Sequence, residues 1–266
     1  MPYPFLKWAG GKSQLLPELR KLYPSKFRNY YEPFLGGGAV FFDLMPKNYL
    51  ISDSNPELIN VYKVIATKHI ELINKLSFME NTEDYFYKIR ELRFEDLDKI
   101  EAAARTIYLN RTCFNGLYRV NKSGHFNVPY GKYKNPNFIQ KERLSVASKL
   151  LKANSIKCMS FEALRKLDIS RNDFIFFDPP YVPLEGYADF KRYTKEQFHF
   201  DSQENLADLF KSLATKGVKL ILTNSNTDTV LNLYKGFDFK VIDTKRNINS
   251  HGNKRTGQDL IVYANL

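Results

Sequence analysis

An acid, two prolines and a tyrosine follow one another as Asp178-Pro179-Pro180-Tyr181, directly after an apolar run at residues 174–177. The run does not alternate with polar residues, which is typical of a central strand covered on both faces of a parallel sheet. Asp178 then lies at the carboxyl edge of the sheet, where open α/β folds bind ligands. The prolines permit neither a helix nor a continued strand, so the chain turns and presents a bare carbonyl and Tyr181 at this edge.

A glycine turn and a second acid predict a nucleoside site. Residues 30–34 form a predicted strand, and Gly36 and Gly38 leave room for a ligand at the turn that follows. Asp53 ends the next apolar segment, 17 positions after Gly36, where a carboxylate holds a ribose diol in nucleoside-binding folds. Phe41 replaces the third glycine of a dinucleotide fingerprint, which argues against a pyrophosphate ligand.

The segment at residues 7–13 reads KWAGGKS and ends like a phosphate-binding loop. Such a loop requires a glycine where Leu6 stands, and a strand before it, so this interpretation fails. From the residues alone, the segment is a turn into a helix from Gln14 to Leu22, which Pro24 ends.

The composition indicates one large domain, or one domain with an insertion, in a chain of 266 residues with 43% hydrophobic residues. A net charge of +11 favours a polyanionic partner. Two cysteines and four histidines are scattered, so we expect neither a metal site nor a disulfide framework. We find no signal-peptide core and no apolar run near the ~20 residues of a membrane span. We therefore expect a cytoplasmic protein without membrane association.

Most of the positive charge lies between Arg105 and Lys149, where nine Lys or Arg accompany a single acid, Glu142. Aromatic residues are interspersed among these charges, and residues 121–124 predict the turn of a hairpin from Leu117 to Pro129. One interpretation is a basic surface hairpin. The other is nucleic-acid recognition, in which lysines bind phosphates and an arginine reads a base edge.

Other segments predict the rest of an α/β fold. Residues 82–109 predict a helix, and Asp201 to Glu204 resemble a capping box that starts another helix ending near Gly217. A buried strand follows at residues 218–222. Residues 239–244 and 259–263 predict an antiparallel edge pair around a basic loop, a second candidate phosphate contact, with Lys245, Arg246, Lys254 and Arg255.

Four separated motifs resemble, in order, those of the DNA adenine methyltransferases of the Dam type, which modify GATC. They are KWAGGK at residues 7–12, Glu-Pro-Phe-x-Gly-x-Gly at residues 32–38, the hairpin sequence at residues 110–133, and Asp-Pro-Pro-Tyr at residues 178–181. The resemblance implies a Rossmann-like, S-adenosylmethionine-dependent methyltransferase sheet with an inserted helical and β-hairpin subdomain. Residues 1–55 and 147–266 are then the catalytic, cofactor-binding domain, and residues 56–146 the target-recognition domain.

Carried over position by position, the resemblance implies three groups of site residues. The catalytic group is Asp178, Pro179, Pro180 and Tyr181. The group that binds S-adenosylmethionine is Trp8 as a packing surface, Lys12 as a carboxylate partner, and Glu32, Phe34, Gly36, Gly38, Asp53 and Asp178. The group that binds double-stranded DNA is Lys7, Arg111, Phe114, Asn115, Leu117, Arg119, Asn121, Lys122, Pro129 and Tyr133.

Individual roles within the DNA-binding group follow from the same resemblance. Arg119 is expected to contact guanine, and Leu117 and Pro129 to discriminate the thymine side. Phe114 and Asn115 are expected to fill the gap left by an adenine that has been flipped out of the duplex. We expect no obligate protein partner and a monomeric enzyme.

Alternatives to an adenine target remain at this point. The amine acceptor is adenine in DNA, cytosine in DNA, adenine in RNA or a glutamine side chain. Ser usually leads the tetrapeptide in cytosine enzymes and Asn in glutamine enzymes, so Asp178 favours adenine. A DNA-binding module without catalysis explains the charge but leaves Gly36, Asp53 and Asp178 unexplained.

Overall fold

The computed structural model describes residues 3–8, 10–121, 123–182, 198–245 and 256–266. Its strands are β1 (Tyr30–Glu32), β2 (Tyr49–Asp53), β3 (Ile156–Cys158), β4 (Phe174–Phe177), β5 (Lys219–Ser225), β6 (Asp238–Lys245) and β7 (Thr256–Ala264). They form one sheet in the order β3-β2-β1-β4-β5-β7-β6. The first five strands are parallel, and β7 runs antiparallel to both β5 and β6. The prediction of an α/β fold is confirmed.

Both faces of the sheet are covered, as the apolar run at residues 174–177 predicts. Phe174 and Phe176 belong to one hydrophobic cluster, whereas Ile175 and Phe177, which point the other way, belong to a second. The helices are α1 (Leu16–Arg20), α2 (Ala39–Leu44), α3 (Pro56–Ser77), α4 (Glu83–Glu91), α5 (Lys99–Thr112), α6 (Lys141–Leu150), α7 (Phe200–Thr215) and α8 (Asp228–Leu233). Buried residues of α3 and α5 join the first cluster, and those of α7 join the second.

The strand order creates a switch point between β1 and β4. The chain proceeds from β1 outward through β2 and β3, and then returns to β4 on the other side of β1. Connections that leave neighbouring strands in opposite directions open a crevice at their carboxyl ends. Asp178 follows β4 at this edge, and the glycine turn follows β1.

Residues 56–146 are inserted between β2 and β3. Helix α3 starts this insertion with Pro56 in its first turn and Asn55 as its N-cap, whose side chain accepts a 3.1 Å hydrogen bond from the Leu58 amide. One hydrophobic cluster contains Tyr30 of the sheet together with Tyr108 of α5, so the core is continuous across residue 55. The division into two domains stays a prediction.

The structure corrects three helix predictions. The helix at residues 82–109 is interrupted between α4 and α5, because Asp98 accepts hydrogen bonds from the amides of Ile100 and Glu101 and so starts a new helix. Helix α1 is shorter than the predicted helix from Gln14 to Leu22. The capping box is wrong, because α7 starts after His199 without a side-chain cap.

Predictions for the second half of the sheet are largely confirmed. Helix α7 ends just before Gly217, whose φ of +77° is readily adopted by glycine. The strand at residues 218–222 is part of β5, which continues to Ser225. Strands β6 and β7 are the predicted antiparallel pair. Arg246, Lys254 and Arg255 of the basic loop lie outside the described residues.

Candidate active site

Asp178 leaves β4 and is held through one carboxylate oxygen. Its Oδ1 accepts a 2.8 Å hydrogen bond from the Thr223 hydroxyl and lies 2.7 Å from Lys12 Nζ. The Lys12 and Asp178 side chains are only 5% and 21% exposed. Burial raises the pKa of Asp178, and Lys12 and Thr223 oppose this rise. A carboxylate fixed in this way presents its other oxygen, Oδ2, as an acceptor with a defined direction.

The turn that follows Asp178 is fastened by side chains of β5 and α7. Gln203 Nε2 donates a 2.8 Å hydrogen bond to the Pro180 carbonyl. Asn224 Oδ1 accepts a 3.0 Å bond from the Val182 amide, and the Ser225 hydroxyl donates a 2.7 Å bond to the Val182 carbonyl. The Lys12 ammonium also lies 4.7 Å from the centre of the Tyr181 ring. The predicted catalytic tetrapeptide is therefore embedded in a polar network.

Asp53 and the glycine turn meet at the carboxyl ends of β1 and β2. The Gly36 amide donates a 3.0 Å hydrogen bond to Asp53 Oδ2, and the Asn55 amide donates a 3.0 Å bond to Oδ1. Burial raises the pKa of Asp53 to about 6. Gly36 and Gly38 have φ angles of +49° and +69°, a region that disfavours residues with a Cβ. Each Asp53 oxygen has further capacity to accept a ligand hydroxyl.

Three aromatic rings cluster near the carboxyl ends of β1 and β3. Phe34 stacks on Phe161 with ring centres 5.4 Å apart, and Phe198 meets Phe34 edge-on at 5.7 Å. The loop that carries Phe161 is tied to β2 by a 3.1 Å hydrogen bond from the Met159 amide to the Asp53 carbonyl. Phe161 was not predicted as a site residue, because the short strand β3 before it was not predicted either. Strand β3 places Phe161 at this same edge of the sheet.

Glu32 lies beneath the site, at the end of β1. It is buried, and its Oε2 accepts a 2.6 Å hydrogen bond from the Tyr30 hydroxyl. Burial is the main reason why its pKa rises to about 8, and the charge of Asp178 raises it further, while Lys12 lowers it. Its predicted contact with the cofactor stays a prediction.

Trp8 joins the glycine turn to the hairpin. A Cβ added to Gly36 would lie 2.8 Å from Trp8 Cδ1, so the indole rests directly on this turn. On the other side, Trp8 stacks on Tyr118 of the hairpin with ring centres 5.0 Å apart and planes inclined by 25°. The packing surface implied by the KWAGGK motif is therefore built partly from the recognition segment.

Lys7 is fastened to the insertion from the same N-terminal segment. Its backbone amide donates to Asn110 Oδ1 at 2.9 Å, and Asn110 Nδ2 donates back to the Lys7 carbonyl at 2.6 Å. Its ammonium lies 4.8 Å from the centre of the Tyr133 ring. Burial, followed by the charge of Arg111, lowers the pKa of Lys7. Arg111 donates a 3.1 Å hydrogen bond to the Asn137 carbonyl.

The hairpin from Leu117 to Pro129 is confirmed, although it forms isolated bridges instead of regular strands. Val120 pairs with Phe126, and the amide of Asn127 donates a 3.0 Å bond to the carbonyl of Arg119. Its side chains alternate: the buried positions are Tyr118, Val120, Phe126 and Val128, and the more exposed positions are Leu117, Arg119, Asn121, Asn127 and Pro129. Four of the predicted DNA contacts therefore share the outer face.

Two outer-face side chains also have structural partners. Arg119 Nε donates a 2.8 Å hydrogen bond to Asn127 Oδ1, and Arg119 Nη2 donates a 3.3 Å bond to the Asn127 carbonyl. Asn121 Oδ1 accepts bonds from the amides of Ser123 and His125, which shapes the turn. Lys122 lies outside the described residues.

Phe114 stands at the base of the hairpin with 51% of its surface exposed. The next residue, Asn115, has a φ of +55°, and this left-handed residue turns the chain around Phe114. Cys113 beside them is fully buried, and burial raises its pKa to about 12. Its thiol donates to the Leu117 carbonyl at 3.2 Å. An exposed ring on a buried support is suited to insertion between bases.

Comparison with known proteins places this site in a family. A sequence model of the D12 class N6 adenine-specific DNA methyltransferases matches residues 8–248. The chain belongs to this family. It is 42% identical to the type II methyltransferase M1.LlaDCHI of Lactococcus lactis subsp. cremoris, over 98% of this chain and 95% of that protein. It is 35% identical to the DNA adenine methylase of Haemophilus influenzae, over 95% of this chain and 90% of that one.

A third relative, the retron Ec67 DNA adenine methylase of Escherichia coli, is 38% identical over 97% of this chain and 90% of that protein. As a D12 class N6 adenine-specific DNA methyltransferase, the protein is an enzyme that methylates adenine in DNA. Membership removes the alternatives of cytosine, RNA adenine, glutamine and non-catalytic DNA binding. Among the described residues, no helix combines the length and the apolar character needed to cross a membrane.

Proposed function

We propose that this D12 class methyltransferase transfers the methyl group of S-adenosylmethionine to the exocyclic amine of adenine in duplex GATC. The target adenine leaves the duplex by base flipping, and transfer occurs by in-line displacement. The enzyme acts as a monomer on DNA in the cytoplasm.

The groups at the carboxyl ends of β1, β2 and β3 have the chemistry to bind S-adenosylmethionine. Asp53 is the acceptor for the ribose diol, and the rings of Phe34 and Phe161 are the apolar surface for the adenine of the cofactor. Trp8 closes the glycine turn, and Lys12 is the cation near the methionine carboxylate. When bound, the cofactor supplies an electrophilic methyl group on a sulfonium.

The adenine amine is a weak nucleophile because its lone pair is delocalised into the ring. Oriented acceptors compensate for this weakness by stabilising the positive charge that develops on the amine nitrogen. Asp178 Oδ2 and the Pro179 carbonyl accept the two amine hydrogens and favour a tetrahedral nitrogen. Tyr181 supplies the stacking face for the flipped base.

Recognition of GATC rests on the outer face of the hairpin. Arg119 donates to the guanine, and Leu117 and Pro129 contact the thymine side. Phe114 and Asn115 occupy the space that the flipped adenine leaves, which offsets part of the few kcal/mol of lost stacking and pairing. Lys7, Arg111, Asn121, Lys122 and Tyr133 hold the backbone or the flanking bases.

The observation that carries the proposal is the position of one short segment, residues 7–12. Within it, Lys12 contacts the catalytic carboxylate, Trp8 contacts both the glycine turn and the hairpin, and Lys7 contacts Tyr133. This one segment therefore contacts the groups proposed to bind cofactor, to catalyse transfer and to bind DNA. Transfer between two substrates requires that these groups hold both substrates in a fixed relative position.

Expression in a host that lacks adenine methylation tests the target sequence. We expect its DNA to become sensitive to a nuclease that cuts only methylated GATC, and resistant to one that cuts only unmethylated GATC. Expression of the Asp178→Ala variant is the control and should leave the host pattern unchanged. Methyl groups found on adenine outside GATC would contradict the specificity proposed here but not the family.

A further inference from the structure

The tetrapeptide turn has an unusual shortage of backbone donors. Pro179 and Pro180 have no N–H group, so this part of the chain cannot fasten itself by its own hydrogen bonds. Its acceptors nevertheless have to be aimed at an amine within a few tenths of an ångström. The restraint therefore has to come from side chains elsewhere in the fold.

Gln203 and Asn224 supply that restraint. Gln203 Nε2 donates to the Pro180 carbonyl at 2.8 Å, and Asn224 Nδ2 donates to Gln203 Oε1 at 3.2 Å. Asn224 Oδ1 in turn accepts from the Val182 amide at 3.0 Å. Both side chains are almost fully buried, at 4% and 0% exposure. Together they bridge the two sides of the turn from α7 and β5.

The hydrogen bond from Gln203 to the Pro180 carbonyl also distinguishes this carbonyl from that of Pro179. Gln203 binds the Pro180 carbonyl, which directs that oxygen into the protein. Thr223 binds Asp178 Oδ1 from the same strand end as Asn224. The restraints therefore bracket the Pro179 carbonyl and Asp178 Oδ2, the two acceptors assigned above to the amine.

We propose that Gln203 and Asn224 are positioning residues for methyl transfer, which hold the turn so that the Pro179 carbonyl faces the target amine. This inference rests on the proposed function of that turn. Both side chains are buried and hydrogen-bond to the turn and to each other, so their loss should lower the rate of the chemical step and leave the affinities for cofactor and duplex nearly unchanged.

Gln203→Met tests the proposal, because methionine fills a similar volume without either hydrogen bond. The measurement is the single-turnover methylation rate on a GATC duplex, divided by the fraction of enzyme that binds cofactor. We expect a loss of about 10- to 100-fold, the scale of a misplaced reacting group. Dissociation constants for cofactor and duplex should stay within about twofold, because the substitution removes no contact that is made equally in the ground state and the transition state.

Leu213→Ala is the matched control for destabilisation. Leu213 is buried on the same helix, 10 positions from Gln203, and packs in the cluster beneath the sheet. It should lower Tm at least as much as Gln203→Met, yet keep the normalised rate. Equal normalised rates for Gln203→Met and wild type, or an equal loss in Leu213→Ala, would overturn the positioning role.

The Gln203→Glu variant adds a second measurement, the pH dependence of the normalised rate, which a purely structural role of Gln203 would not change. A protonated Glu side chain donates to the Pro180 carbonyl and accepts from Asn224, as glutamine does, whereas the ionised form has no donor. The normalised rate relative to wild type should therefore increase as pH falls. A ratio independent of pH would contradict the assignment. Absence of adenine methylation by the wild-type enzyme would instead overturn the proposed function, and this inference with it.

Discussion

The turn at residues 178–182 and the hairpin at residues 117–129 both carry polar groups that we propose face a substrate, but they are held differently. In the turn, buried side chains from β5 and α7 bind the carboxylate, one proline carbonyl and both backbone groups of Val182. In the hairpin, isolated backbone bridges join two irregular arms, and the outer face carries its own partners, such as Arg119 with Asn127.

This difference corresponds to two physical requirements. Charge that develops in a transition state is stabilised best by acceptors that do not reorganise, so the turn is over-determined. A recognition surface has to follow the grooves of DNA, and side-chain rearrangement at such an interface is common. Substitutions in the turn should therefore affect the rate of chemistry, and substitutions in the hairpin should affect the choice of sequence.

Asp178→Ala should give the largest effect. The variant loses the proposed charged acceptor of the amine, and one such contact accounts for about 100-fold or more in rate. Duplex binding should persist, because Asp178 is proposed to act on the amine and not on phosphate. Single-turnover methylation and duplex titration measure the two quantities. Retention of more than about a tenth of the wild-type rate would refute the catalytic role.

Asp53→Ala should weaken cofactor binding. It removes the proposed acceptor for the ribose diol and also leaves the amides of Gly36 and Asn55 without their partner. We expect cofactor affinity to fall about 10- to 100-fold. Asp53→Asn, which keeps one acceptor oxygen, is the matched control and should lose less. An unchanged cofactor affinity would show that Asp53 has a structural role only.

Arg119→Ala tests the hairpin side of the comparison. If Arg119 binds guanine with two hydrogen bonds, its loss costs ~1 to 3 kcal/mol at that base pair and leaves the salt dependence nearly unchanged. Methylation of GATC, AATC, CATC and TATC duplexes at two salt concentrations measures this. Lys122→Ala is the contrasting variant and should weaken all four duplexes alike, with a salt slope reduced by about one charge. An Arg119→Ala enzyme that behaves in this second way would not be reading guanine.

Lys12→Met should shift the pH dependence of catalysis. Burial raises the pKa of Asp178, and the Lys12 charge lowers it, so removal of Lys12 raises this pKa further. Because the ionised carboxylate is the proposed acceptor of the amine, the acid limb of the rate at saturating cofactor should move to higher pH. Lys12→Arg should keep the limb near its wild-type position. A limb that stays in place or moves to lower pH in Lys12→Met would show that the ion pair has no influence on the reaction.

Phe114→Ala should give the smallest effect, a loss of about threefold to tenfold in single-turnover rate on a paired duplex, because insertion offsets only part of the flipping cost. The loss should largely disappear when the target adenine is mispaired and already easier to extrude. Phe78→Ala is the control, since Phe78 is exposed but lies outside the hairpin. Equal losses on paired and mispaired duplexes would exclude a role in base flipping.

Local sequence patterns predicted the features that depend on neighbouring residues. The apolar run before Asp178 determined a buried strand and a turn, and the glycines at positions 36 and 38 have the positive φ angles that such residues permit. The antiparallel pair β6 and β7 followed from two apolar segments alone. The break before α5 was also encoded locally, in the cap formed by Asp98, but the absence of glycine and proline concealed it.

Features that depend on the tertiary fold escaped prediction. Strand β3 is only three residues long, and two of them are exposed, so no apolar run indicates it or the ring of Phe161 beyond it. Gln203 and Asn224 lie 21 positions apart and meet only after α7 packs on the sheet. In the sequence, nothing distinguishes a buried amide side chain from an exposed polar one, because its hydrogen-bond partners are distant along the chain.

The reactivity of the buried Cys113 thiol can report the opening of the chain at the base of the hairpin. Cys158 is exposed, whereas Cys113 is covered completely, and burial raises its pKa to about 12. Because thiolates and not thiols react with alkylating reagents, Cys113 is protected twice, by access and by protonation. Its alkylation therefore measures how often the segment around Phe114 opens. If cognate DNA covers this surface as proposed, it should slow the alkylation of Cys113.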